Sequence, residues 1–445
     1  MIWIIALFKN LFSKEFRMNT KRLISICFLS CLVFVFYFFP RSLRSEDKEK
    51  SLWPNRMKIG GELRLRYENQ INYDFNNTTS AQTDIFFLMR TRIYLDLNPA
   101  EFVQIYAMFQ DSETFGQDDA LVKVRDRHKF YQGFAKFKGQ MGPLKTSFKV
   151  GRQEIIYGEQ RLIGNASWSN VGRSFDAAVW RLENKDFWLD IWGGRLHPSN
   201  NPVNIEYQLA SLYAHWNHFP QGELEPYVIF THSNNAGVNN GPLYLATIGT
   251  RIKAKFLENF DYGFEGAYQS GSSNYNLINA GAIHTRLGYT FPVDWKPRVG
   301  GEFNFASGDA NPKTGHVTLF NNLFPTNFDK YGYIDFFSWR NLYDLRLALS
   351  AEPFSFMKTS LDYHAFFLPD PGNGVLQDNG TQLRAGNPNA SHFAGQEIDL
   401  VLKFEPLKYF NAWVGYSVFF PGEFFADTGG SDIAQFVYLQ LTARY

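Results

Sequence analysis

The stretch Lys58–Glu68, KIGGELRLRYE, changes character at every second residue. Ile59, Leu63, Leu65 and Tyr67 share one face of an extended chain, and charged residues occupy the other face. Because successive side chains of a strand point to opposite sides, this alternation predicts a strand with one apolar and one polar surface. A soluble sandwich would also alternate, so the connections between strands decide the fold.

The same period recurs along the chain and predicts eighteen strands, at 58–68, 84–98, 101–111, 129–139, 144–152, 172–183, 187–196, 206–217, 223–233, 243–257, 260–271, 279–291, 297–308, 336–350, 355–367, 395–406, 409–419 and 434–445. Tight turns alternate with long loops near 69–83, 112–128, 153–171, 309–335, 368–394 and 420–433. An even strand number with short turns on one side and long loops on the other is typical of bacterial outer-membrane barrels. The sequence therefore predicts an all-β fold, an 18-stranded antiparallel transmembrane β-barrel.

The last run, FVYLQLTARY at 436–445, supports this prediction independently. Its apolar residues again share one face, and it ends in the aromatic Tyr445. It resembles the terminal strand of outer-membrane proteins, which the barrel-assembly machinery recognises. We therefore expect that machinery, outer-membrane lipid and lipopolysaccharide among the partners of the chain.

Composition excludes several classes of protein. The chain is 18% aromatic, yet its mean hydropathy is −0.28, which argues against a helical membrane protein. Residues 46–445 carry 37 basic and 42 acidic side chains, so a nucleic-acid partner is not expected. Both cysteines, Cys27 and Cys31, lie in one apolar segment near the N-terminus, and the remaining chain offers no disulfide, zinc site or thiol nucleophile.

The N-terminus has the features of a secretory signal. Lys21 and Arg22 precede the apolar run Leu23–Phe39, and a polar stretch follows. We predict a signal peptide at 1–45, in which 1–17 is an upstream start extension if Met18 is the true start. A short periplasmic segment at 46–57 and a barrel domain at 58–445 follow. An uncleaved helical anchor and a lipoprotein signal at Cys31 are the alternatives.

Strand phase assigns most charged residues to the lumen side of the predicted barrel. A charge at the middle of the lipid face would cost about 2–4 kcal/mol, so this sorting is what a membrane barrel requires. The lumen side chains predicted from phase to contact substrate are Arg64, Arg66, Arg90, Arg92, Asp190, Arg251, Lys253, Arg340 and Arg346. They have two interpretations: pairs that stabilise the wall, or a positive constriction that favours anions.

No catalytic or metal-binding pattern accompanies these charges. The nine histidines are scattered, and neither HExxH nor G-x-S-x-G spacing occurs. The sequence therefore predicts neither an enzyme nor a bound metal or cofactor.

One segment, Gly151–Leu182, resembles a known family. It reads GRQEIIYGEQRLIGNASWSNVGRSFDAAVWRL, and its GRQ, YGEQRLIG and WSNVGRSFD blocks resemble the motif of the alginate-export family of outer-membrane proteins. The resemblance implies a monomeric eighteen-stranded barrel with an arginine-lined channel for an anionic polysaccharide such as alginate, fed by periplasmic export partners. Arg152, Arg161, Arg173 and Asp176 occupy matching positions, so the resemblance adds them to the expected substrate-binding residues. Strand phase also predicts that Asp176 faces the lumen. Strand phase alone places Arg152 with Phe148 and Val150, on the lipid side.

Three functions remain open at this point. The first is a passive, anion-selective channel of the bacterial outer membrane for a carboxylated polysaccharide or oligosaccharide. The second is a general or small-solute porin with the same architecture. The third is an outer-membrane adhesin that binds a partner through its long loops at 309–335 and 368–394.

Overall fold

The computed structural model describes residues 56–75, 83–116, 126–197, 205–237, 240–309 and 315–445. The predicted signal peptide and nearly all of the predicted periplasmic segment lie outside these residues. The barrel strands, numbered β1 to β18, are Met57–Ile71, Thr83–Ala100, Val103–Gly116, Asp126–Met141, Leu144–Gln153, Phe175–Glu183, Phe187–Leu196, Gln208–Phe219, Gly222–Ser233, Leu243–Phe256, Phe260–Ser273, Asn276–Thr290, Arg298–Ala306, Leu342–Phe354, Met357–Phe367, Phe393–Leu407, Phe410–Pro421 and Ala434–Arg444.

These strands form one closed antiparallel barrel. Each strand pairs with the next in the sequence, and β18 pairs with β1 from Glu62↔Arg444 to Ile71↔Gln435. Closure leaves no free sheet edge, as a barrel in lipid requires. The predicted fold and strand number are confirmed.

The two faces of the barrel have opposite chemistry. On β1, Leu63 and Leu65 are exposed on the outside, whereas Arg64 and Arg66 are buried on the inside. The same alternation continues around the sheet, so the outer surface is apolar and the inner surface is polar. No helix in the described part of the chain has the length and apolar character needed to cross a bilayer.

The strand connections follow the predicted asymmetry. Two-residue turns such as 101–102 and 142–143 lie at one end, and loops such as 154–174, 307–341 and 368–392 lie at the other. Tyr445 also lies at the short-turn end, where Gly61 donates to its carbonyl at 3.1 Å. In outer-membrane barrels the short turns face the periplasm and the long loops face outward.

The fourteenth strand begins six residues later than predicted. The expected strand at 336–350 starts at Leu342, because 336–341 belong to a loop that folds into the barrel. Phe337 stacks on Phe366 of β15 at 4.0 Å, and Phe336 contacts Phe419 of β17 at 5.5 Å. The aromatic run resembles a strand in sequence, but it packs as part of the lumen filling.

Candidate functional site

Residues 154–174, named the crossing loop, span the lumen from wall to wall. Near one end, the Ser167 carbonyl accepts from Arg64 of β1 at 2.8 Å. Eight residues earlier in the chain, Glu159 lies 2.8 Å from Arg286 of β12, which marks the other side of the lumen. Because β1 and β12 lie on roughly opposite sides of an eighteen-stranded ring, the loop must cross the interior. A barrel of this size would otherwise enclose a wide aqueous channel.

A second inward segment interlocks with the crossing loop; its described residues, 307–309 and 315–341, are named the facing loop. Gly164 donates its backbone N–H to the Phe324 carbonyl at 2.8 Å, and Phe324 donates to the Leu162 carbonyl at 2.8 Å. The ring of Trp168 stacks on Phe328, with centroids 3.5 Å apart and planes 3° from parallel. The two loops therefore narrow the channel as one packed unit.

The end of the crossing loop depends on a glycine in the motif. Gly172 has φ +70, a left-handed conformation that favours glycine. A Cβ at this position would lie 2.6 Å from the Tyr131 hydroxyl and 3.0 Å from Arg92 Nη2. The loop can lie this close to the wall only because the side chain is absent.

Three of the predicted arginines hold the crossing loop in place. Arg64 donates to the carbonyls of Ser167 and Ser169 at 2.8 and 3.0 Å, and Arg90 donates to the same two carbonyls at 3.3 and 3.2 Å. Arg66 donates to the Trp168 carbonyl at 2.7 Å and lies 3.7 Å above the Trp168 ring. These guanidinium groups are buried beneath the loop.

Two motif arginines lie inside the barrel. Arg161 lies inside the barrel and bonds to Tyr331 of the facing loop at 3.1 Å and to His284 of β12 at 3.2 Å. Arg173 precedes β6 rather than lying in it, and it donates to the Pro325 carbonyl at 2.5 Å. Burial lowers the pKa of Arg173, but a guanidinium stays charged at neutral pH.

Most of the remaining predicted residues are paired with acids inside the lumen, on the wall or on the crossing loop. The closest contacts are Arg92 to Glu154 at 3.9 Å, Arg181 to Asp190 at 2.6 Å, Arg251 to Glu225 at 2.9 Å, and Arg346 to Asp362 at 3.1 Å. Arg340 belongs to the facing loop and donates to the Phe320 carbonyl at 3.3 Å. Lys253 is exposed near the periplasmic end. Wall pairing therefore accounts for many of these charges.

Arg152 and Asp176 lie on the outer face, so their expected place in the pore lining is corrected. They are register partners on β5 and β6, and their side chains form an ion pair at 2.8 Å. The neighbouring Phe175 is fully buried against lumen residues and takes the inward position on β6. Side chains alternate along a strand, so Asp176 must point outward.

Glu159 is a lumen residue that strand phase could not identify, because it lies in a loop. Its carboxylate is 2.8 Å from Arg286, 3.6 Å from Arg161 and 3.8 Å from Arg251. Burial opposes its ionisation, but Arg161, Arg286 and other nearby cations prevail and lower the pKa of Glu159 to about 2. This carboxylate ties the crossing loop to β10 and β12.

A pH dependence follows from this tie. A carboxyl group in an unfolded chain titrates at a pKa of about 4.3. Because the folded pKa is depressed to about 2, the stabilisation by Glu159 is fully present above pH ~4.3 and is lost as pH falls through about 2. We expect single-channel conductance to stay constant from pH 7 to pH 5 and to rise towards pH 2 as the loop detaches.

The variant Glu159→Gln is the control for this effect. It should show raised conductance already at pH 7 and a smaller further rise on acidification. A conductance change in the natural protein between pH 7 and pH 5 would contradict the assignment.

One cluster among the described residues has the spacing of metal ligands. His215, Glu223 and Glu225 place their ligand atoms within 4.8 Å of one another. Arg251 already donates to Glu225 at 2.9 Å and to Glu223 at 3.1 Å, which neutralises much of the charge that a cation would need. The cluster is better described as an ion-pair network.

Two lysines on the inner wall were not among the predicted site residues. Lys136 on β4 and Lys149 on β5 are directly opposite each other in the register. Their lumen phase could be deduced from the alternation with Phe137 and Phe148 and from the tight turn at 142–143. They lie below the crossing loop, on the periplasmic side.

Comparison with known proteins identifies the family. The family model for alginate export matches residues 55–438. The chain belongs to the alginate export family. A search of curated proteins found no match.

Solved structures share the fold at low sequence identity. OprD from Pseudomonas aeruginosa has a TM-score of 0.60 at 10% identity, covering 87% of this chain and 93% of that chain. OccK3 (OpdO) from the same organism has a TM-score of 0.58 at 12% identity, with 87% and 95% covered. OccAB2 from Acinetobacter baumannii has a TM-score of 0.56 at 10% identity, with 87% and 98% covered. Family and fold together support a channel of the bacterial outer membrane for this alginate export family member.

Proposed function

We propose that the protein is a passive, anion-selective channel for a carboxylated polysaccharide or oligosaccharide of the alginate type. The observation that carries the proposal is the environment of Arg64. Its three hydrogen-bond acceptors are the carbonyls of Ser167 and Ser169 and the Asn170 side-chain oxygen, and all three are neutral. These contacts orient the two terminal nitrogens of the guanidinium without supplying a negative charge, so its positive charge remains.

Other inward cations are held in the same way. Arg173 donates to the carbonyls of Pro325 and Gly164, and Arg340 donates to that of Phe320. A carbonyl dipole orients and stabilises a guanidinium without cancelling its net charge. Burial also weakens screening by water and salt, so these charges act over a longer range than exposed ones.

The lumen side of β1–β6 adds to this positive potential. Alternating burial places more cations than acids there: Lys58, Arg64, Arg66, Arg90, Arg92, Lys129, Lys136, Lys138, Lys145, Lys149 and Arg181 against Glu62, Glu68, Asp84, Asp96 and Glu183. On β9–β16 acidic and basic side chains occur in nearly equal numbers. The acids are Glu223, Glu225, Asp261, Glu265, Glu302, Asp344, Asp362, Glu397 and Asp399, and the bases are Arg251, Lys253, Lys255, Arg286, Arg298, Arg346, Lys358 and Lys403.

This uneven distribution suits a polyanion that moves along one side of the channel. A carboxylate can exchange among successive cations if no single contact is tight enough to trap it. The arginines that are paired with acids remain available as weaker contacts for these carboxylates, because their charge is only partly neutralised. A small-solute porin of the same architecture would not need so one-sided a wall, and it is the alternative that permeation measurements must exclude.

Planar-bilayer recordings test the proposal. Under a potassium chloride gradient, the reversal potential should show preference for chloride, because the basic wall raises the local concentration of anions. Trigalacturonate should block the current at concentrations where the neutral sugar maltotriose does not.

Arg152→Ala serves as the control, since Arg152 lies on the outer face and should affect neither measurement. Cation preference, or equal block by the charged and neutral sugars, would leave the small-solute porin as the function. A barrel with no ion current would favour the adhesin.

A further inference from the structure

A cavity of about 390 Å³ opens below the crossing loop, along the inner wall of β3 to β7. Its lining includes Tyr106, Phe134, Lys136, Lys149, Tyr157 and Arg181. This volume lies within the ~300–1,000 Å³ range of small-ligand pockets. The cavity is therefore large enough to receive part of a sugar chain.

The charges around this cavity do not cancel. Arg181 is neutralised by Asp190 at 2.6 Å. Glu154 accepts from the Tyr131 hydroxyl at 2.6 Å and faces Arg92 at 3.9 Å. Of the charged groups that line the cavity, this leaves Lys136 and Lys149.

These two lysines are cross-strand neighbours with the same charge. Among the described residues, neither ammonium group has a carboxylate within 4.0 Å. Like charges directly opposite each other destabilise a sheet pair, so an empty site carries a cost that a bound anion would relieve. The lysines are thus arranged for a negatively charged ligand.

Aromatic rings continue the surface beside the lysines. Tyr94 stacks on Tyr106 at 5.7 Å, and Tyr106 stacks on Phe134 at 5.1 Å, with interplanar angles of 23° and 19°. Lys149 Nζ lies 4.4 Å from the centre of the Phe134 ring. The electron-rich face of an aromatic ring attracts positively polarised groups, which include the C–H bonds on one face of a sugar ring.

We propose that Lys136 and Lys149, together with Phe134 and Tyr106, form a binding subsite for a single hexuronate unit of the transported chain. The carboxylate of the sugar lies between the two ammonium groups, and its C–H face packs on the aromatic row. The inference rests on the proposed function and adds to it a place where the substrate pauses below the crossing loop. Contacts from lysine are weaker and less directional than bidentate contacts from arginine, which suits release.

The test measures current block by trigalacturonate in Lys136→Gln, Lys149→Gln and the double variant. The double variant should need about tenfold more trigalacturonate for half block, since water in the lumen weakens each charge-assisted contact. Block by maltotriose should not depend on the lysines. The substitution also removes the repulsion between the lysines, so the barrel should fold normally, as a heat-modifiable gel shift can verify.

Lys408→Gln is the matched control, because Lys408 is an exposed lysine in the short turn between β16 and β17. Phe134→Leu tests the aromatic contribution and should weaken block by trigalacturonate without changing chloride preference.

The outcomes separate the two proposals. If trigalacturonate does not block the natural protein, the proposed function itself fails. If it blocks the natural protein and the double variant equally, the channel function stands and the subsite is overturned. An equal loss of block in Lys408→Gln would reduce the effect to general surface charge and would also overturn the subsite.

Discussion

Trp168→Ala should detach both inward loops from the wall. The Trp168 ring lies between Phe328 at 3.5 Å and the Arg66 guanidinium at 3.7 Å, and Tyr438 of β18 meets its edge at 5.0 Å. Loss of this partly buried ring should cost about 3 kcal/mol of docking free energy, the lower end for a Trp→Ala change. Single-channel conductance should rise at least about twofold, because 16- to 18-stranded barrels are wide when no loop fills them.

Hydrogen exchange provides the second measurement for this variant. Amide protection should fall in residues 154–174 and 315–341 together, since the two loops share backbone hydrogen bonds. Trp168→Phe should retain much of the protection because it keeps a stacking ring. Trp216→Ala is the matched control, since Trp216 is exposed on β8. Unchanged conductance and protection in Trp168→Ala would show that the loops are held by their hydrogen bonds alone.

Arg64→Met should have the largest effect on selectivity. The variant removes a charge whose acceptors are all neutral, so no wall acid compensates for the loss. We expect the chloride-to-potassium permeability ratio to fall by about half, because field strength in a constriction governs ion preference. The carbonyls of Ser167 and Ser169 each lose one donor but keep their bonds from Arg90 at 3.3 and 3.2 Å, so the crossing loop should be held more weakly without being released.

A conservative variant distinguishes the effect of the Arg64 charge on selectivity from its effect on the attachment of the crossing loop. Arg64→Lys keeps the positive charge but loses the fork of donors, so it should preserve selectivity and weaken protection of the crossing loop. Arg152→Met should change neither property, because its ion pair with Asp176 lies on the outer face. If Arg64→Met loosens the loop and leaves selectivity intact, Arg64 has only a structural role.

The fold could be predicted because every strand of a membrane barrel alternates between apolar side chains that face lipid and polar side chains that face the lumen. Alternation on β1 gave the correct inward positions for Arg64 and Arg66, and all eighteen strands were located. Local patterns failed where a segment left the sheet. Residues 336–341 have the aromatic content of a strand but pack inside the lumen. The alternation starts anew after the crossing loop, so Asp176 faces outward although strand phase had predicted an inward position.

The candidate site was less accessible to prediction, because its contacts are distant in sequence. The Arg64–Ser167 bond joins residues 103 positions apart, and the Arg161–Tyr331 bond joins residues 170 apart. Strand phase shows that an arginine faces inward, but it cannot show that a loop lies against it. The motif includes Arg161 and Arg173, which lie inside the barrel, but it offered no means of seeing that Arg152 pairs with Asp176 on the outer face. Binding of substrate by Arg161 and Arg173 stays a prediction.

The crossing loop also has a mechanical consequence. A hollow barrel resists flattening only through the bending stiffness of its sheet. Here Arg64 and Arg286 anchor the ends of one internal strut to opposite walls. Because the strut joins two walls, it opposes flattening of the barrel and keeps the cross-section round under the lateral pressure of the membrane. Force applied at one wall is transmitted through the loop to the other wall. The shape of the pore is therefore set by the crossing loop as well as by the number of strands in the barrel.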